Sequence, residues 1–431
     1  MPKAPRISPA RKAAFDVLWQ IERERAYSSV VLPREEEKLS EKDRRLCHEI
    51  TLGVLRKCAY LDRMIAGLAG KKKLDLAVLI ALRIGLYQLI FLNRVPDYSA
   101  INESVNLVVR AKKMSARGFV NAILRRAVRE KPQLSYANEL ERVSVETSHP
   151  EWLIRRWEAQ FGMERAFALA RSNNVSPLIT FRDVNAADEI ERLSTAVTRC
   201  KFASGCYTVH EFSDEIRELA QAGLIYLQDE ASQLVASTIK LEPRMLFSDV
   251  CAAPGGKTTA VALRSPGSLI VSGDIHLERV RQIGRTAELQ KLDGVNQVQY
   301  DAETALPFAD GTFDVVLVDA PCTGTGTIRH NPEIVLFLNP EVFAAISAKQ
   351  LNMLRNASKT VKSGGRLIYS TCSLEFEENE RICERFLASN DEFEVLGPDV
   401  DDRFLTEEGF ARTFPDRDDM DGFFIAHFTR K

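Results

Sequence analysis

Two cysteines occupy positions where a thiol can do chemistry as well as fill space. Cys322 closes the string Asp319-Ala320-Pro321-Cys322, and Cys372 lies in Ser370-Thr371-Cys372-Ser373. A short apolar run precedes each: Phe313-Asp314-Val315-Val316-Leu317-Val318 and Gly365-Arg366-Leu367-Ile368-Tyr369. These runs predict strands, and in an open parallel sheet ligands bind beyond the carboxyl ends of the strands. Two thiols at two such ends can face one pocket. One of them, as thiolate, can attack an electrophilic carbon. The competing reading for any single cysteine is a small buried hydrophobe.

The elements that must position these thiols begin at Met245, where strand, turn and helix alternate. Leu246 to Cys251 is a strand, followed by the turn Ala252-Ala253-Pro254-Gly255-Gly256-Lys257-Thr258-Thr259 and a helix through Leu263. Ser268 to Ser272 is a second strand ending at Gly273-Asp274, Leu277 to Leu289 a second helix, and Gln297 to Tyr300 a third strand closed by Asp301. Alternation of this kind predicts a parallel, doubly wound sheet with right-handed crossovers. Gly256-Lys257-Thr258 matches the end of a phosphate-cradling loop, but Cys251 stands where that loop requires its first glycine. Pro254 also removes an amide donor. The turn suits a nucleoside cofactor better, because Gly255 and Gly256 let the backbone approach it closely. Asp274, about 20 residues on, holds the place of a ribose-binding carboxylate, and Asp301 could accept from an adenine amino group. Each aspartate could alternatively cap a helix.

The chain has 431 residues, which predicts two or three domains. Its apolar share of 45% and charged share of 27% are those of a globular protein. Arg83 and Asn93 interrupt the most apolar early stretch, so no membrane span is expected. The N-terminus lacks the layout of a secretory signal. The 8 cysteines form no CxxC pair or zinc-spaced cluster, so neither metal nor disulfide framework is expected, and the thiols should be reduced in a cytoplasm. The formal charge of −2 conceals an asymmetry. Up to Lys131 there are 27 Lys and Arg against 14 Asp and Glu, and beyond it 31 against 46. A basic front half is a prior for a polyanionic partner, although a charged face can also be merely solvated.

That front, from about Ser8 to Arg129, reads as amphipathic helices that must bury their stripes on one another. Its basic clusters are Arg44-Arg45, Lys71-Lys72-Lys73, Lys112-Lys113 and Arg125-Arg126, suited to phosphate contacts. Ser148-His149-Pro150 marks a boundary. Ile154 to Ser172 predicts a helix, Leu178 to Arg182 a strand, and Ala187 to Glu218 a small α+β region. Glu230 to Ala236 opens the helix that leads into the sheet. Asp421 to Ala426 predicts a hairpin strand finishing it.

The strings Lys42-Asp43-Arg44-Arg45, Pro96 to Glu103 and Gly118 to Arg125 resemble the NusB-type RNA-binding domain. Asp249 to Thr258, Asp319 to Gly326 and Tyr369 to Ser373 resemble the three signatures of RNA cytosine-5 methyltransferases. Together they resemble the bacterial Fmu/Sun family, whose members methylate small-subunit (16S) ribosomal RNA. The resemblance implies a multidomain chain: an all-α NusB-like helical bundle over 1–140, a small α+β connector domain over 141–222, and an α/β Rossmann-like class I methyltransferase domain over 223–431. It implies S-adenosyl-L-methionine as methyl donor, held by Cys251, Ala252, Ala253, Pro254, Gly255, Gly256, Lys257, Asp274, Asp301 and Asp319. It further implies Cys372 as nucleophile and Cys322 as its helper, in a cytoplasmic monomer acting on ribosomal RNA.

Chemistry supplies reasons for two thiols. Cytosine C5 is a poor nucleophile until a thiolate adds at C6, and the C5 hydrogen must later leave as a proton. Asp319 is the carboxyl nearest the thiols in sequence and could serve N3. Lys257 could contact the base or Asp319, or be solvated. Arg329 and His330 could meet phosphates or simply shape a loop. The target base must be unpaired or flipped out. The alternatives are a non-catalytic NusB-like RNA-binding or antitermination factor, a cytosine-5 enzyme acting on another RNA such as tRNA, and a DNA cytosine methyltransferase. The last would place its nucleophile at Pro321-Cys322 and leave Cys372 unexplained.

Overall fold

In the computed structural model, which describes residues 7–70 and 73–431, the apolar stretch Leu76–Phe91 is a helix buried on almost every side. Asp75 caps its start, accepting from the Ala77 amide at 3.0 Å. A helix apolar all round belongs at the centre of a bundle, and Pro9–Glu24, Glu41–Arg56, Cys58–Ala69, Asp97–Arg110 and Arg117–Glu130 surround it. Its one internal charge, Arg83, donates to both carboxylate oxygens of Asp62 at 2.7 Å and to Glu22 at 2.5 Å. Pairing makes a charge tolerable in that interior. No helix among the described residues is long and apolar enough to cross a membrane.

This helical unit runs to Val175 and also takes in Ile328–Phe337, a segment that follows the Cys322 turn in sequence. Glu333, fully buried in it, accepts from the Ser28 amide at 2.7 Å and the Ser28 hydroxyl at 2.9 Å. Arg56 donates to the Arg329 carbonyl at 2.9 Å. Arg329 is itself 4% exposed, so the loop role holds for it and phosphate contact does not. The helix expected from Ile154 to Ser172 is two, Glu151–Phe161 and Met163–Ser172, because Gly162 at φ +83° breaks the run.

The second unit holds Ser176–Thr327 and Leu338–Lys431. The expected connector, 141–222, is thus divided: its part up to Val175, all helix and loop, lies in the first unit, and its strands, with the helices Ala187–Arg192 and Asp214–Gln221, lie in the second. Those strands are β1 (Ile179–Asp183), β2 (Val197–Arg199) and β3 (Cys206–Val209), joined by β4 (Ile225–Leu227) in the antiparallel order β2-β3-β1-β4.

The large sheet contains β5 (Leu246–Asp249), β6 (Leu269–Asp274), β7 (Val295–Gln299), β8 (Phe313–Asp319), β9 (Val361–Thr371), β10 (Phe393–Leu396), β11 (Ala411–Arg412) and β12 (Phe424–Arg430). Its order is β10-β12-β9-β8-β5-β6-β7, with β11 paired to β12. The core β9-β8-β5-β6-β7 is parallel, and β12 is antiparallel to both β9 and β10. The last strand therefore lies inside the sheet, with β10 as the edge. The chain moves outward in opposite directions from β5, so the β5/β8 boundary is the switch point where a crevice opens. β8 is apolar and covered on both faces, as parallel strands are.

Arg182 on β1 is 3% exposed and ties the small sheet to the glycine turn. Its guanidinium donates to the Gly256 carbonyl at 2.8 Å, Thr259 Oγ1 at 2.9 Å, and Gln228 and Gln290 at 3.1 Å each. It also lies over the Tyr226 ring, 5.2 Å from its centroid. Arg182→Met leaves these acceptors buried without a donor and should cost about 3 kcal/mol. Chemical denaturation with an unchanged slope checks this, and a loss below about 1 kcal/mol contradicts it.

Candidate active site

The sheet brings the two cysteines together by strand order alone. β8 and β9 are parallel neighbours with Asp319 opposite Ser370, so the turns that follow them leave the same edge. Cys322 Sγ and Cys372 Sγ lie 3.1 Å apart, both half-buried. Cys47, Cys58 and Cys383 are buried, and burial pushes the first two thiols up to about 12, where they are inert. Cys322 is also held well above the ordinary thiol value, first by its hydrogen bond with Cys372 and then by burial.

Beside the thiols stands a half-buried ion pair. Lys257 Nζ donates to Asp319 Oδ2 at 2.7 Å, and Ser370 Oγ donates to Asp319 Oδ1 at 2.7 Å. Of the roles open to Lys257, solvation is excluded, because its side chain is 10% exposed and bound to Asp319. Burial acts to lower the lysine's pKa. The Asp319 charge, the hydrogen bond to it and the nearby Cys372 outweigh that, and the net shift is upward. Phe423 covers the ammonium from 4.9 Å. This face therefore holds two thiols and an ammonium–carboxylate pair that can carry a proton.

The glycine turn borders the same edge. Gly255 has φ +103°, a conformation that L side chains rarely adopt, and a Cβ there would approach Ile283 Cα to 3.3 Å. The turn is anchored by Ala252 N to Gly273 O at 2.8 Å, Arg279 to Ala253 O at 3.2 Å and Thr286 Oγ1 to Pro254 O at 3.0 Å. Cys251 is half-buried, its thiol raised by burial. Asp274 ends β6 with 4% exposure; it accepts from the His276 amide at 3.2 Å and pairs with Arg279 at 3.4 Å. It is not the cap of the following helix, whose N-cap is His276. Asp301 lies two residues past β7 and caps a turn, accepting from Glu303 N at 2.9 Å.

Asp249, at the end of β5, escaped the sequence reading as a site residue. Its Oδ2 accepts from Thr258 Oγ1 at 2.6 Å, while its buried Oδ1 takes no hydrogen bond. An orphaned carboxylate oxygen, a turn with two adjacent glycines and the acid ending β6 suit a ligand rich in hydroxyl and amino donors, so a nucleoside cofactor fits. Glu378 was missed as well, because Glu377-Glu378-Asn379-Glu380 looks like a solvated charge run. The basic clusters fare less well as a free phosphate-binding face. Arg45 pairs with Glu41, Lys113 with Asp75 and Arg126 with Glu130, while Arg44 donates to the Glu36 and Leu39 carbonyls. Lys71 and Lys72 lie outside the described residues.

A mixed sheet of this order, with its glycine turn and acidic strand ends, defines a Rossmann-like methyltransferase domain, which follows a helical NusB-type unit in the sequence. Residues 236–429 match the family model "16S rRNA methyltransferase RsmB/F", and residues 8–129 match the NusB family. The probable ribosomal RNA small subunit methyltransferase B of Bacillus subtilis is 32% identical over 98% of both chains. The ribosomal RNA small subunit methyltransferase B of Pseudomonas putida is 33% identical over 83% of this chain and 84% of its own. Among solved structures, that of PH0851 shares the fold, with a TM-score of 0.86 and 24% identity over 99% of this chain and 100% of that one. The chain belongs to the RsmB/F family of 16S rRNA methyltransferases, enzymes that use S-adenosyl-L-methionine.

Burial pushes the Asp249 carboxyl up to about 7, only partly opposed by the bond from Thr258. A folded-state pKa above the unfolded value of about 3.9 means the folded protein binds the proton more tightly. This contribution to stability is full below about pH 4 and is lost as the pH rises through 7. Asp249→Asn, which stays neutral, should match the parent's melting temperature at pH 4 and exceed it at pH 8. Thermal melts across that range check this, and a constant difference between the two proteins contradicts it.

Proposed function

We propose that the enzyme methylates C5 of a cytosine in 16S ribosomal RNA through a covalent bond between Cys372 and cytosine C6, and that Cys322 assists release. The observation that carries this reading is the 3.1 Å contact between the two thiols beside the Lys257–Asp319 pair. One thiol is enough to attack. A second thiol in contact with it is useful when a proton must be removed from the carbon next to the attacked one.

S-adenosyl-L-methionine, when bound, supplies an electrophilic methyl group; Cys251 to Lys257, Asp274, Asp301 and Asp319, with Asp249, are the residues that would hold it. The remaining work falls to side chains of the chain. Cys372, as thiolate, forms the S–C6 bond, and the displaced π electrons make C5 nucleophilic. Negative charge that would gather at N3 is met by the proton of the Lys257–Asp319 pair. Asp319 accepts from both Lys257 and Ser370, so the lysine is the source of that proton and the aspartate its carrier. After C5 has gained its methyl group, Cys322 as base takes the C5 hydrogen. The C5–H electrons re-form the C5=C6 bond and expel Cys372 as thiolate. Cys322 releases its own proton to solvent before this step, the N3 proton returns to the Lys257–Asp319 pair once C5 is methylated, and with Cys322 reprotonated from C5 and Cys372 expelled as thiolate the starting state is restored.

Cys372→Ala should reduce methyl transfer to 16S rRNA to background and form no adduct. Cys322→Ala should accumulate an enzyme–RNA adduct that survives denaturing electrophoresis. Radiolabelled methyl transfer, with bisulfite sequencing of the product RNA, reads both activity and the modified atom. Activity retained in Cys372→Ala together with loss of the adduct in Cys322→Ala would reverse the two roles. A methyl group on any position but C5 would remove the reading altogether.

A further inference from the structure

Behind the two sulfurs lies a polar cluster that the reaction itself does not touch. At its centre is Glu378, fully buried. Its Oε2 accepts from the Thr323 amide at 2.9 Å and from Gln350 Nε2 at 3.0 Å. Its Oε1 accepts from Ser373 Oγ at 2.8 Å and from the Thr323 hydroxyl. Thr323 directly follows Cys322, and Ser373 directly follows Cys372. One carboxylate thus spans both turns, one residue behind each thiol.

The carboxylate is itself held from several sides. Gln350, on the helix Val342–Lys359, also donates to the carbonyl of Pro321 at 3.0 Å, on the other side of Cys322. Tyr369 donates to the Glu378 carbonyl at 2.6 Å. The next residue, Asn379, accepts from Thr371 Oγ1 at 2.6 Å and donates to the Ser373 carbonyl at 2.8 Å. Apolar packing would hold two turns against a helix without the cost of a buried acid. A carboxylate offers instead directional bonds to both turns at once, in a place where a displacement of an ångström matters.

We propose that Glu378 is a positioning residue that sets the distance between Cys322 and Cys372 by bonding the turn behind each. Its consequence for turnover rests on the two-thiol reading above; the geometric claim does not. Burial holds the Glu378 carboxyl above its usual range, so a neutral side chain of the same shape suits the site. Glutamine can accept from Thr323 N and Gln350 with its oxygen and donate to the two hydroxyls with its amide.

The test separates geometry from catalysis. An azo oxidant such as diamide takes one hydrogen from each of two neighbouring thiols and leaves a disulfide, and peptide mass spectrometry reads the Cys322–Cys372 bond directly. Its rate reports the separation of the sulfurs without RNA or methyl donor. Glu378→Ala should slow this cross-link about tenfold or more, and lower kcat for methyl transfer by a similar factor with the affinity for S-adenosyl-L-methionine unchanged. Glu378→Gln should restore most of both. An unchanged cross-linking rate in a folded Glu378→Ala, or a Glu378→Gln no better than alanine, overturns the proposal. Slowed cross-linking with unchanged methyl transfer upholds the role of Glu378 and counts against the two-thiol mechanism instead. Should Glu378→Ala fail to fold, Thr323→Val, which lacks only the hydroxyl bonded to the carboxylate, is read in the same way, and unchanged cross-linking there also overturns the proposal.

Discussion

The parallel pairing of β8 with β9 is the constraint from which the site follows. With Asp319 opposite Ser370, the two strands end together, and the turns beyond them start from adjacent points on one edge. A slip of one residue would turn Ser370 to the other face of the sheet. That slip would remove its bond to Asp319 and move Cys372 away from Cys322. The register is held by the apolar faces of both strands, each buried against helices on one side or the other. The chemistry at the edge thus depends on packing well behind it.

Around that pairing, polar groups are arranged by what each must exchange. Asp319 is surrounded by donors, Lys257 and Ser370, and so serves as an acceptor. Glu378 is likewise surrounded by donors but is sealed from solvent, and its bonds go to backbone and hydroxyls that flank the thiols. Arg182 does comparable work for the glycine turn, binding the Gly256 carbonyl from a strand of the small sheet. Glu378 and Arg182 are charged groups buried where they fix a loop, since loops lack the ladder bonds that hold strands.

The helical unit uses its charges differently. Arg83 is neutralised inside the bundle by two carboxylates, and several of the surface arginines and lysines that suggested a phosphate-binding face are paired with neighbouring acids. Such exposed pairs are weak and screened by salt, so they can exchange a carboxylate for a phosphate. The net positive charge of this part of the chain is therefore a better guide to a polyanionic partner than any one cluster.

Sequence alone carried the period of the elements and the candidate thiols. The strand runs before Cys322 and Cys372, the helix Leu277–Leu289, the glycine turn and Asp274 were all legible, because apolar periodicity and turn residues are local properties. The matched signatures also identified the family. Contacts between distant segments were not legible. The sequence leaves Lys257 open between solvent, base and carboxylate, and the fold brings it to Asp319, 62 residues away. Glu378 sits among other acidic residues in the sequence, and only tertiary burial makes it a bridge between both thiol turns. Ile328–Phe337 gave no local sign that it packs in the helical unit. Residue type determines what a side chain can do, but its protonation, its partners and its exposure are set by groups brought near from elsewhere in the chain. Those facts exist only once the sheet has formed.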